Sequence, residues 1–156
     1  MRKLSLLILC GILFCMIGCA SVPLYKPEEA ASIKEFAPPS PGMAGLYIFR
    51  DGILGAGLLK DIWVDGQCVG QSASNVFFYR EVSGDTEHVI TTESEFSPNE
   101  LKIFVESDTL YFIRQYLKPG LVVGGADLEI VEPEFAKAIV VKLDMAVGGD
   151  CDNPTP

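Results

Sequence analysis

Lys60-Asp61-Ile62-Trp63-Val64-Asp65-Gly66-Gln67-Cys68-Val69-Gly70-Gln71-Ser72 is the stretch whose reading decides the fold. Asp65-Gly66 sits between two short runs, and an Asp-Gly pair so placed is a strong two-residue hairpin signal. Ile62 and Val64 share one face of the first run, with Asp61 and Trp63 on the other. The same pattern recurs downstream. Val76–Val82 and Thr86–Thr92 flank Ser83-Gly84-Asp85, and Leu101, Ile103 and Val105 alternate with Lys102, Phe104 and Glu106. Glu106 to Thr109 turns the chain into Leu110–Leu117, which Lys118-Pro119-Gly120 stops. Leu121–Val123 and Asp127–Val131 are expected to form a further pair.

Upstream, Ala44–Arg50 reads as a first apolar strand, followed by a glycine-rich connection from Asp51 to Leu59. Downstream, Pro133-Glu134 places proline and an acid where a helix starts. Phe135, Ala138, Ile139 and Leu143 would then share one face, while the β-branched run Ile139-Val140-Val141 also permits a strand. Serial hairpins predict an all-β, antiparallel sandwich over residues 44–147, with a short C-terminal helix. No internal repeat and no second domain are evident.

The first nineteen residues carry a different message. Arg2 and Lys3 precede an apolar run from Leu4 to Ile17, and Gly18-Cys19 closes it. The run is short for a bilayer span and has the layout of a secretory signal. The Gly-Cys ending resembles the lipobox of bacterial lipoproteins, with Met16 where leucine is usual. That resemblance implies a signal peptide over residues 1–18, cleavage before Cys19, thioether-linked lipid on its sulfur and three acyl chains. Ala20-Ser21 after the cysteine, without aspartate, implies the outer membrane by the sorting rule of enteric bacteria. Residues 19–43, with Pro23, Pro27, Pro38, Pro39 and Pro41, read as a lipid anchor and proline-rich tether lifting the domain off the membrane. Ile33 and Phe36 offer only a thin apolar face there. Residues 148–156 read as a disordered tail.

The chain of 156 residues carries 12 basic and 21 acidic side chains, a net charge of −9. Losing Arg2 and Lys3 with the signal takes this to −11. Such a protein is repelled by nucleic acid and by anionic headgroups, which excludes a DNA-binding or polybasic role. Of five cysteines, Cys10 and Cys15 lie in the signal and Cys19 is the lipid site. Cys68 and Cys151 remain. Either they pair, as an oxidising compartment permits, or Cys68 is buried and Cys151 hangs free on the tail.

The domain resembles a family of bacterial lipoproteins known as domain of unknown function 2846. The resemblance runs from about Gly45 to Leu143. It rests on Leu46-Tyr47-Ile48-Phe49-Arg50, on Val64-Asp65-Gly66 with Val69-Gly70, on Gly84 followed by His88, and on Tyr111-Phe112-Ile113. Ser83-Gly84 stands where the family usually has Pro-Gly. The resemblance implies a small, largely β, Ig-like lipoprotein domain and no particular activity.

Candidate functional residues are few. His88 is the single histidine, so a histidine-rich zinc site is out of reach and no metal is expected. Its structural role would be a half-buried ring bonded to backbone at a sheet edge. An envelope hydrolase would need Cys68 as nucleophile and His88 as base, yet nothing marks Cys68 as an activated thiol. Arg50 and Arg114 interrupt apolar strands. They would hold a carboxylate ligand, pair internally with Asp61 or Glu81, or protect a sheet edge by charge. Tyr79 and Tyr111 belong to an aromatic set that is core or binding strip. The strand Val76-Phe77-Phe78-Tyr79 is either covered on both faces or exposes aromatics. Ile53, Leu54, Leu58 and Leu59 make the glycine-rich loop apolar. It touches a partner or the membrane, or, more simply, covers an open end of the sandwich. No catalytic residue and no cofactor are implied. The expectation is a non-catalytic binding or scaffolding module at the outer membrane, facing the periplasm, with an envelope protein or a small ligand as partner. A structural accessory of an envelope assembly is the alternative.

Overall fold

The structure is a computed structural model that describes residues 20–121 and 124–152. Residues 1–19, on which the expected signal peptide and lipid site fall, and residues 153–156 lie outside it. Nine strands form two sheets. They are β1 (Met43–Arg50), β2 (Lys60–Val64), β3 (Gln67–Ser72), β4 (Val76–Ser83), β5 (Thr86–Thr92), β6 (Asn99–Val105), β7 (Leu110–Lys118), β8 (Gly125–Ile130) and β9 (Asp144–Met145). Sheet order is β8-β7-β1-β4-β9 in one layer and β3-β2-β5-β6 in the other. The predicted all-β sandwich with a short C-terminal helix is therefore what the chain builds. The Asp65-Gly66 hairpin forms as its sequence dictates, with positive φ of 51° and 73°.

Two pairings are parallel, β1 with β7 and β4 with β9, so the sandwich is not antiparallel throughout. The cause is the path of the chain. The hairpins β2–β3 and β5–β6 belong to the second layer, so β1 and β7 meet only after the chain has crossed between layers. Strand β8 pairs with β7 rather than with the Leu121 segment: Leu121 lies in a bend, and residues 122–123 fall outside the described residues.

Between the sheets Leu46, Ile48, Phe78, Ile62, Ile90, Val105 and Ile113 are buried together. A polar bridge crosses this core: Gln115 Nε2 donates to Thr92 Oγ1 (2.7 Å), which donates to the Asp61 carbonyl (3.0 Å). The five-stranded sheet buries its other face too. Tyr47, Phe49, Phe77 and Phe112 line it, which is why the β4 strand is apolar on alternate and adjacent positions alike.

Two segments cover that second face. One is helix α2 (Pro133–Val140), preceded in the chain by the short α1 (Pro27–Ala31). Glu132 caps α2 by accepting the Phe135 N–H at 3.0 Å. Its inward face is Ala136, Ile139 and Val140, and Leu143 in the turn that follows continues it at the i+7 position. The predicted face is corrected by a small rotation: Phe135 is 61% exposed and Ala138 is exposed. The second cover is the segment expected to be a tether. Ala30 is buried, Phe36 packs 5.2 Å from the Tyr47 ring, and the Tyr47 hydroxyl donates to the Ile33 carbonyl at 2.6 Å. Leu24 bridges Ala146. Much of residues 20–43 is therefore docked on the sandwich, because Phe36 and Ile33 meet an aromatic face with room for them. The Gly148–Cys151 part of the expected tail is also held, by the Gly149 N–H on the Val69 carbonyl (2.9 Å) and by a disulfide.

Candidate functional site

The strand directions give the sandwich two unlike ends. The end bearing the β2–β3, β4–β5 and β6–β7 turns is polar, and His88 sits there. Its Nδ1 lies 2.5 Å from Asp65 Oδ2 and its Nε2 lies 2.8 Å from the Ser83 carbonyl oxygen. Both neighbours are acceptors, so the ring satisfies both only when both nitrogens carry protons. Asp65 is oriented in turn by the Val89 N–H (2.9 Å). Burial disfavours the charged ring, but Asp65 and the Ser83 carbonyl outweigh it and raise the His88 pKa. Burial likewise opposes Asp65 ionisation, and the Val89 N–H with His88 overrides it and lowers that pKa. Because Ser83 belongs to one sheet and His88 to the other, the imidazolium clamps the two layers together.

Cys68 is bonded to Cys151, with Cα atoms 6.1 Å apart, so the sequence alternatives resolve to a pair. Its sulfur is unavailable as a nucleophile, and the Nε2 of His88 faces a carbonyl instead of a substrate. Cys68 lines a groove of about 350 Å³ with Tyr25, Phe78, Tyr79, Arg80 and Gly149. The Tyr79 hydroxyl donates to Glu81 (3.1 Å), and burial together with that carboxylate pushes its pKa up to about 12. Arg80 also lines a smaller hollow of about 230 Å³ beside Asp65 and His88.

The other candidates are placed elsewhere. Arg50 is 2% exposed and donates to the carbonyls of Leu58 (2.9 Å), Gly55 (2.6 Å) and Ser72 (3.2 Å). It moulds the β1–β2 loop rather than waiting for a ligand or guarding an edge, and burial lowers its pKa. Arg114 grips Asp51 through Nε (2.6 Å) and Nη2 (3.2 Å) and touches Glu129 (3.4 Å), in place of Asp61 or Glu81. Tyr111 is half-buried, and its hydroxyl accepts the Glu106 N–H at 2.9 Å. Tyr79 and His88 thus flank neighbouring hollows, while Arg50, Arg114 and Tyr111 have separate structural duties. The sequence reading passed over Arg80, whose alternation on β4 beside Tyr79 was the available signal.

The opposite end is apolar. Ile53 is 86% exposed and Leu54 69%, so the β1–β2 loop does not bury its tip as the simpler expectation had it. A pocket of about 270 Å³ opens between Leu54, Leu58, Leu117 and Pro119. Gly55 lets the loop lie against Leu117: its φ is +68°, and a Cβ there would collide with that side chain. The Ala20 N–H donates to the Ala56 carbonyl of this loop at 3.1 Å.

Residues 40–126, from just before β1 into β8, match the family described as protein of unknown function (DUF2846). A protein of Haemophilus influenzae described as uncharacterised is 47% identical over 137 residues, covering 88% of this chain and 81% of its own length. No solved structure matches. The chain belongs to the DUF2846 family.

Proposed function

We propose that this DUF2846 member is a non-catalytic cell-envelope lipoprotein. It is anchored through lipid on Cys19 at the periplasmic side of the outer membrane and binds an envelope partner by its surface. One observation carries the reading. Cys68, the candidate nucleophile, is spent in a disulfide with Cys151, and such a bond belongs to an oxidising compartment beyond the cytoplasm. The engagement of both ring nitrogens of His88 supports it, since a general base needs one nitrogen facing the substrate. The partner surface is the groove of Tyr25, Tyr79 and Arg80, where aromatic and guanidinium groups adjoin, the combination that anchors protein interfaces.

A photo-crosslinking residue in place of Tyr25, in the full chain expressed in its cells, tests this. The expected result is one recurrent envelope protein crosslinked at Tyr25 and lost when Arg80→Glu is added. A crosslinking pattern unaffected by Arg80→Glu would overturn the groove as the partner surface.

A further inference from the structure

Three loops meet at the apolar end, and each projects an exposed apolar side chain. Ile53 and Leu54 come from the β1–β2 loop. Phe96, 78% exposed, comes from the β5–β6 loop, and Leu121, 88% exposed, from the β7–β8 loop. The loops adjoin one another. Leu58 faces Gly124, and the Leu121 N–H donates to Glu95 at 2.6 Å. Three ion pairs flank them: Lys60 with Glu93 (3.1 Å), Lys118 with Asp127 (2.9 Å), and Arg114 with Asp51. The opposite end carries the acidic turns with Asp65, Asp85, Glu106 and Asp108. The domain therefore has an apolar end whose basic side chains Lys60, Lys118 and Arg114 are each matched by a carboxylate, and an opposite end rich in acidic turns.

The position of Ala20 says which surface the apolar end meets. Its N–H is held on Ala56 of the same loop that carries Ile53 and Leu54. Cys19 immediately precedes Ala20 in the chain, one peptide bond away. The headgroup layer is roughly 5–8 Å deep. Acyl chains that start at Cys19 and enter hydrocarbon leave no length for a spacer between the β1–β2 loop and the bilayer. The acidic end would at the same time point away from anionic headgroups, where repulsion is least.

We infer that the apolar end is a membrane-docking face. Ile53, Leu54, Phe96 and Leu121 insert into the bilayer that holds the Cys19 lipid, so the domain stands on the membrane by its loops instead of swinging on a tether. This inference rests on the lipid reading of Cys19. Insertion of apolar side chains is expected to reach roughly 5–10 Å, to the boundary of headgroups and acyl chains. Anchoring and orientation are thereby coupled, and the Tyr25–Arg80 groove is presented at a fixed angle to the membrane.

The test is hydroxyl-radical footprinting of the lipidated full-length product. It is done in protein-free vesicles of phosphatidylethanolamine with a minor fraction of phosphatidylglycerol, and in native outer membranes. The Cys19 peptide is weighed in the same digest. Phe104 (60% exposed) and Phe135 (61% exposed) lie away from the apolar end and serve as internal controls. The expected result is strong protection of Leu54, Phe96 and Leu121 in both membranes relative to detergent-free Cys19→Ser protein, with Phe104 and Phe135 equally reactive in all. Reactive loops on a chain whose Cys19 peptide carries lipid would overturn docking and leave lipidation standing. Protection in native membranes but not in vesicles would assign the face to a protein partner and also overturn docking. A Cys19 peptide without lipid would remove the reading underneath and the inference with it.

Discussion

Removing both half-cystines, as Cys68→Ser with Cys151→Ser, isolates the contribution of the one disulfide in the described structure. The bridge spans a sequence separation of 83. Closing a loop of that length restricts the unfolded chain by an entropy worth about 4.5 kcal/mol at 25 °C. Little native packing should be lost with it. Val140 at the end of α2 and Leu143 just beyond it stay buried, and the Ala146 N–H still donates to the Phe77 carbonyl. Beyond Gly148 the tail adds mainly the Gly149 bond to Val69. The expected loss is therefore about 3–5 kcal/mol, or roughly 10–20 °C in Tm for a domain of this size. Urea unfolding followed by the fluorescence of Trp63, which is 2% exposed, reads it directly. The urea slope m should rise as well, because the uncrosslinked denatured chain is more open. A double variant within about 1 kcal/mol of the oxidised protein, at unchanged m, would refute the loop-closure reasoning.

Other perturbations follow from single contacts. His88 has a raised pKa in the folded state, so its stabilising contribution is complete below the ordinary histidine value of about 6.5 and is lost as pH rises through the raised one. Tm should fall over that interval, and His88→Gln should flatten the slope while costing about 1.5–3 kcal/mol at pH 6. Arg50→Met leaves the carbonyls of Gly55, Leu58 and Ser72 without their donor. It should cost about 2–4 kcal/mol and speed amide exchange across residues 52–58. Phe36→Ala removes the ring packed on Tyr47 and Phe112. It should cost about 2–3 kcal/mol and let the Tyr47 phenol, raised by burial and by Tyr79, titrate closer to its ordinary value of 10.0 in an absorbance titration.

What was legible in the chain was what local chemistry encodes. Asp65-Gly66 demands positive φ at both positions, so the turn could be read from two residues, whereas the register shift between Ile62 and Trp63 in the same hairpin had no such marker. The alternation of Leu101, Ile103 and Val105 marked β6 in the same way. The parallel contact of β1 with β7 had no such marker. Gly45 and Leu110 meet across 64 intervening positions, and only the packing of two layers decides that meeting. Residues 27–36 misled for a related reason. Their own apolar face is thin, and its partner, the outer aromatic face of Tyr47, Phe77 and Phe112, is assembled from three distant strands. Among the candidate site residues, Arg50 read as a surface or ligand charge because no sequence pattern announces that three loop carbonyls converge on it. The Cys68–Cys151 pairing likewise depended on a distance that spacing does not reveal.

The central claim is that the mature protein begins at a lipid-bearing Cys19 in the outer membrane, and intact mass spectrometry of the native protein from fractionated cells tests it most directly. The account predicts a chain starting at Cys19, carrying the mass of a diacylglyceryl group and an amide-linked acyl chain, with Cys68 and Cys151 oxidised, found in the outer-membrane fraction. A chain that retains Met1–Gly18, or one that starts elsewhere without lipid, would contradict it.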